Sequence, residues 1–131
     1  HPLVKPFGIY SNPPEKPNNI DGKILGGKKA NYTYSTSSFD PDNDEIYYLF
    51  DWDDGTNSGW LGPYEPGEII KTNKSWEKMG FYNIRVKAKD INGFQSEWTD
   101  TIKVLMSKEK QTIKFKFLEF LKILFEDTSF L

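Results

Sequence analysis

Apolar and polar side chains alternate along most of the stretch Gly80-Phe81-Tyr82-Asn83-Ile84-Arg85-Val86-Lys87-Ala88-Lys89-Asp90, which is the strongest indication of the fold. Successive side chains of a β-strand point to opposite faces of the sheet, so the alternation predicts a strand with one buried and one solvated face. The residues predicted to point inward are Tyr82, Ile84, Val86 and Ala88.

The same alternation recurs before and after this stretch. One predicted strand turns Tyr48, Phe50 and Trp52 to one face, and others lie over residues 30–36 and 102–106. Turn-forming residues separate the strands at positions 40–44, 53–55, 65–67 and 92–93. Many short strands without a helical pattern between them predict an all-β sandwich or barrel.

Composition excludes several classes of function. The 131 residues suit one domain, and 17 basic against 19 acidic side chains argue against a nucleic-acid partner. The chain has no cysteine, and its one histidine is His1. Thiolate chemistry, a histidine metal cluster and an internal Ser-His-Asp triad are therefore excluded. We predict that the chain is not an enzyme and needs no cofactor.

Two changes of character divide the chain into three predicted regions. Residues 1–20 are a proline-rich extended lead, expected to be loose with one or two anchoring side chains; residues 21–107 are the sandwich; residues 108–131 are an apolar tail. The tail carries apolar residues at helical spacing, which predicts a short amphipathic helix over residues 114–125. The helical stripe consists of Phe117, Phe120, Leu121 and Leu124.

An amphipathic helix this short is expected to need a surface to lie on. The candidates are the sandwich of its own chain, a second copy or a lipid surface. Contact with protein ranks first, with self-association favoured when the tail is free, because acidic residues weaken the attraction to anionic lipid. No apolar run reaches the roughly 20 residues of a transmembrane helix, so no transmembrane segment is expected.

Two segments resemble the signature of the PKD (polycystic-kidney-disease) domain. The first is Phe50-Asp51-Trp52-Asp53-Asp54-Gly55, and the second runs from Trp76 to Asp90 and is closed by Gly93. Trp52 stands where that family usually has Phe, and Asp53 stands where it has Gly. The resemblance covers residues 20–106 and implies an immunoglobulin-like β-sandwich of the kind found in archaeal and bacterial surface proteins. Such domains act as spacers, adhesion modules and partner-binding modules.

The densest acidic run is Asp40-Pro41-Asp42-Asn43-Asp44-Glu45. Carboxylates at alternating positions around a turn can converge on a hard cation, so Asp40, Asp42 and Asp44 are candidate Ca²⁺ ligands. The simpler interpretation is a solvated acidic turn, since the spacing is weakly specific and its flanks are strands rather than the helices of an EF-hand.

Trp60 and Tyr64 lie in a glycine-bounded loop and are candidate ligand-binding residues. Exposed rings on such a loop can stack on a glycan or anchor a protein partner. The alternative is that Trp60 folds back over an open end of the barrel or sheet.

The sequence thus predicts a secreted or cell-surface module that acts as a spacer, in adhesion or in protein binding. The alternative function is a carbohydrate-binding module, with or without calcium. Asn31 and Asn73 begin acceptor triplets for N-glycosylation, which matter only in a glycosylating cell.

Overall fold

Eight β-strands occur within residues 11–108 and 119–121, the part of the chain that the computed structural model describes. They are β1 (Asp21–Gly22), β2 (Leu25–Gly27), β3 (Tyr32–Thr36), β4 (Ile46–Asp51), β5 (Leu61–Tyr64), β6 (Ile70–Lys74), β7 (Gly80–Asp90) and β8 (Ile102–Ser107). The alternating stretch Gly80–Asp90 forms β7, the longest of them.

The strands form two sheets that pack face to face. One sheet has the order β1-β3-β6 and the other has the order β2-β8-β7-β4-β5. Among these strands the neighbours run antiparallel, apart from the parallel pair β2 and β8. The predicted all-β, immunoglobulin-like sandwich is confirmed.

The inward face of each predicted strand supplies the core. Tyr48, Phe50, Trp52, Ile84, Val86 and Ala88 are buried, as the alternation predicts. Tyr82 is the exception, because it is only partly buried. Its hydroxyl donates to the carbonyl of Lys78 at 2.6 Å, so its ring must lie at the rim of the core, where the chain turns into β7. This bond is the corner-pinning contact typical of immunoglobulin-like sandwiches.

Aromatic rings fill the space between the sheets. The Trp76 indole is fully buried, and its Nε1 donates to the carbonyl of Trp52 at 3.1 Å. Phe50 stacks on Trp52 with ring centroids 5.1 Å apart, and Tyr34 meets Trp76 edge-on at 5.9 Å. Offset and edge-on contacts are the arrangements that aromatic pairs prefer, so a few large rings take the place of many aliphatic side chains.

The described part of the lead is docked on the sandwich, and the expectation of a loose lead is wrong for residues 11–20. Every third residue is buried, namely Ser11, Pro14, Pro17 and Ile20. The amides of Glu15 and Asn18 donate to the carbonyls of Phe39 and Ser37, each at 2.9 Å. A period of three is typical of a polyproline-type chain, which keeps its remaining donors free to bond a neighbour.

Residues 119–121 are helical, as predicted for the tail. The rest of the predicted helix over residues 114–125 lies outside the described residues. Within the described ranges, no helix combines the length and the apolar character required to cross a lipid bilayer.

Trp52→Ala is expected to lower the free energy of unfolding by about 3–5 kcal/mol, because it removes a buried ring that three other aromatic rings contact. Ile69→Ala is the matched control, since Ile69 is 65% exposed and its loss should change stability by less than about 0.5 kcal/mol. Urea denaturation followed by circular dichroism measures both. Equal midpoints for the two variants would contradict the placement of Trp52 in the core.

Candidate functional site

The acidic run folds into a tight turn organised by Asp40. Asp40 Oδ2 accepts hydrogen bonds from the amides of Asp42 at 2.9 Å and Asp44 at 3.0 Å. The Asp40 carbonyl accepts the amide of Asn43, whose φ of 60° is tolerated by an Asn side chain. The first carboxylate of the run therefore points back into the loop and stabilises the backbone that follows it.

Asp90 organises a second turn of the same construction at the end of β7. Its Oδ1 accepts the amides of Asn92 at 2.9 Å and Phe94 at 3.0 Å. Its carbonyl accepts the amide of Gly93, which has a φ of 92°. Both turns thus use an aspartate whose carboxylate bonds the second and fourth following amides.

Pairing of β4 with β7 brings the two turns side by side. Ile46 lies opposite Asp90 in the register, so the acidic run that precedes β4 adjoins the turn that follows β7. Carboxylate oxygens of Asp40, Asp44 and Asp90 lie within 4.8 Å of one another. Two of the three predicted Ca²⁺ ligands, Asp40 and Asp44, are therefore brought together, with Asp90 as a partner that the sequence analysis missed.

Asp42 lies outside this group of three. Its Oδ2 accepts a hydrogen bond from the amide of Asn12 at 2.7 Å. Beside it, the hydroxyl of Ser11 donates to Asp90 Oδ2 at 2.5 Å. The lead segment is thereby bonded to both acidic turns.

In the acidic cluster formed by Asp40, Asp44 and Asp90, burial removes hydration that hydrogen bonds replace only in part. Asp90 is fully buried and Asp40 nearly so. Within the described residues, Asp40 Oδ1 and Asp44 Oδ2 are buried and have no hydrogen-bond partner. Loss of hydration raises the pKa of Asp40 above its ordinary value, and the charges of Asp44 and Asp90 raise it further against the opposing effect of the two amides. Unpartnered carboxylate oxygens that converge in this way suit a hard cation.

Trp60, one of the two candidate ligand-binding rings of the loop, lies elsewhere, on the outer face of the five-stranded sheet. Trp60 is half-buried, and the ammonium groups of Lys89 and Lys87 lie 4.5 and 6.0 Å from its ring centroid. Trp98 continues the row, with the Arg85 guanidinium 4.1 Å from its centroid. Trp60 is thus folded back over lysine side chains of β7 and is bound by cation–π contacts.

Tyr64 and Trp60 do not form one continuous aromatic surface on which a ligand could stack. Its ring is half-buried and packs at 6.2 Å against the ring of the core residue Tyr48. The structure therefore places the two candidate ligand-binding rings in different surroundings, one over the outer face and one beside the core.

Of the four candidate interaction residues in the tail, Phe120 and Leu121 are described. Phe120 is exposed and Leu121 is half-buried, and Phe120 lines an apolar groove on the sandwich. Phe117 and Leu124 lie outside the described residues.

No family model matches the chain. Its structure is similar to a solved structure, the PKD domain of an M14-like peptidase from Thermoplasmatales archaeon SCGC AB-540-F20, with a TM-score of 0.69 and 38% sequence identity. The alignment covers 76% of this chain and 100% of the other.

In metal-free buffer, Asp40→Asn is expected to stabilise the protein by about 1 kcal/mol at neutral pH. An amide oxygen can still accept the two backbone bonds, while the buried charge is removed. Because the pKa of Asp40 is raised in the folded state, the native protein binds this proton more tightly than the unfolded chain. The cost of ionising Asp40 therefore applies above its folded pKa and disappears as the pH falls through that pKa towards 3.8.

The difference between wild type and Asp40→Asn should accordingly shrink on acidification. Urea midpoints measured at a series of pH values in the presence of chelator test this expectation. A difference that is the same at every pH would contradict the raised pKa.

Proposed function

The chain belongs to the PKD domain family, and on that premise we propose that it is a non-catalytic extracellular spacer or protein-interaction module whose two acidic turns bind Ca²⁺. PKD domains are typically extracellular accessory domains. The observation that carries the calcium assignment is the convergence of three carboxylates, two of which have a buried, unpartnered oxygen.

The cost of assembling this cluster is the main argument for a cation. Bringing like charges together in a buried site is unfavourable. A divalent cation between the carboxylates attracts each of them and offsets their mutual repulsion. Ca²⁺ takes six to eight oxygen ligands in flexible geometry, so Asp40, Asp44 and Asp90 would provide about half of its shell and water the rest. Extracellular calcium sites have dissociation constants of about 10⁻⁴–10⁻³ M, a range that needs only a few carboxylates.

The position of the cluster indicates what bound calcium would do. The Ser11 hydroxyl donates to Asp90 of the cluster, and the Asn12 amide donates to Asp42 of the adjoining turn, so both bonds tie the lead to this site. An ion held between the two turns would stiffen the surface on which residues 11–20 lie. Calcium would thereby fix the direction in which the chain enters the sandwich, and a defined entry direction is what a spacer requires.

Saturating Ca²⁺ is expected to raise the melting temperature of the wild type by several degrees. An ion whose free concentration is 100 times its dissociation constant stabilises the folded state by about 2.7 kcal/mol. Asp90→Asn should lose most of this increase, because it removes one of the three charges. The matched control is Asp100→Asn, which removes an equal charge from an exposed position and should keep the full increase.

Differential scanning fluorimetry in Ca²⁺, Mg²⁺ and chelator measures these shifts, and calorimetric titration gives the stoichiometry. The absence of heat at millimolar Ca²⁺, or an equal increase in both variants, would rule out calcium binding at the two turns.

Hydrogen exchange provides a separate readout of the stiffening of the lead. The amides of Glu15 and Asn18, which bond the carbonyls of Phe39 and Ser37, should exchange more slowly in Ca²⁺ than in chelator. The amides of β6 serve as the internal reference, since β6 lies in the other sheet from β7. A higher melting temperature without slower exchange at Glu15 and Asn18 would support calcium binding and contradict the proposed stiffening of the lead.

Carbohydrate binding through Trp60 and Tyr64 is the weaker candidate. A sugar would have to displace lysine side chains from Trp60, and Tyr64 packs beside the core. A glycan array tests it directly. Binding that Trp60→Ala abolishes, without a change in melting temperature, would favour the carbohydrate-binding function.

A further inference from the structure

An apolar groove of about 680 Å³ lies on the outer face of the five-stranded sheet, where β2, β8 and β7 are neighbours. Leu25, Leu105 and Phe81 lie opposite one another in the register, so the three side chains form a row across the three strands. This row faces away from the core, since the next residue, Met106, is fully buried on the other face.

The groove exposes more apolar surface than a sandwich face normally leaves to water. Phe81 is 62% exposed and Met79 is 65% exposed, and Ile24 adds a third exposed apolar side chain beside them. Lys103 also lines the groove, with its ammonium 5.4 Å from the Phe81 ring centroid, whereas three cationic side chains, Arg85, Lys87 and Lys89, lie over aromatic rings on the rest of the face. A contiguous apolar patch on an otherwise charged face indicates a contact surface.

The chain itself supplies a side chain to this groove. Phe120, in the helical residues 119–121, is among the residues that line it. Phe120 follows Ser107, the last residue of β8, by 13 residues, and Ser107 also lines the groove. A segment tethered this closely to its binding surface has an effective concentration in the millimolar range, which a second copy at micromolar concentration does not reach.

We propose that the groove is the intramolecular docking site of the chain's own C-terminal segment, with Phe120 as its anchor. Phe120 is still 56% exposed, so the groove has room for further apolar side chains. The sequence around Phe120 supplies them at the spacing of one helix face. Docking would cover Phe81 and Leu105 and would also shield β2, one of the two edge strands of the sheet.

Crosslinking tests the proposal directly. Because the chain contains no cysteine, the two introduced thiols are the only ones that the reagent can join. One variant combines Glu119→Cys with Met79→Cys, which places a thiol next to the anchor and another in the groove. The matched control combines Glu119→Cys with Ile91→Cys. Ile91 is similarly exposed but follows the opposite end of β7, about 35 Å along the strand from Met79.

A short bis-maleimide is added to each variant at low micromolar protein concentration. We expect an internally crosslinked monomer to form at least ten times faster with Met79→Cys than with Ile91→Cys. Adding Phe120→Ala should remove the difference, and Phe120→Leu should preserve most of it. Equal rates for the two pairs would overturn the proposal. A covalent dimer specific to the Met79→Cys pair would overturn it too, because the occupant would then be a second copy.

Flotation of the intact, cysteine-free chain with vesicles of phosphatidylcholine and phosphatidylglycerol tests lipid as the occupant. A tail held in the groove leaves the chain unbound, whereas co-flotation that Phe120→Ala abolishes would assign the anchor to lipid and overturn the proposal. These readouts are taken in chelator, so they do not depend on whether the acidic turns bind calcium.

Discussion

Antiparallel pairing of β4 with β7 organises both the core and the acidic site. Its register sets Phe50 opposite Val86 inside the sandwich and Asp51 opposite Arg85 outside, where the two side chains form an ion pair at 3.0 Å. The same register aligns Ile46 with Asp90 and so places the two acidic turns next to each other. A shift of one residue would exchange the two faces and turn the core side chains to water.

The two proposed sites lie at opposite ends of β7. Asp90, at the end of the strand, contributes to the acidic cluster that the lead contacts. Phe81, near its start, forms part of the apolar groove that Phe120 lines. The central strand of the larger sheet thus connects the surface on which the chain enters the sandwich with the surface proposed to hold its C-terminal segment. If both proposed sites function as argued, β7 would link them and would suit the proposed spacer function.

The sequence-based predictions agree best with the structure where burial depends on residues close together in the chain. Burial of Ile84, Val86 and Ala88 follows from alternation alone, since an antiparallel strand with one solvated face has a period of two. Tyr82 departs from the pattern because its hydroxyl needs the carbonyl of Lys78, and this bond keeps the ring at the rim. The lead differs from the expectation of a loose segment because proline-rich composition indicates only the conformation that a free chain prefers. It contains no information about a neighbouring surface.

Local sequence patterns were enough to predict the turns and the strands β3, β4, β7 and β8, because alternation and the backbone preferences of Asp, Asn and Gly act over a few residues. Alternation left a sandwich and a barrel both open, and the family resemblance favoured the sandwich. Contacts between residues far apart in the chain depend on the whole fold. Asp90 is separated from Asp40 by 50 positions, and no local pattern shows that their turns adjoin. Likewise, cross-strand register sets Leu25, Leu105 and Phe81 in one row and so forms the groove. These contacts depend on strand order and register, which arise from the packing of the whole core.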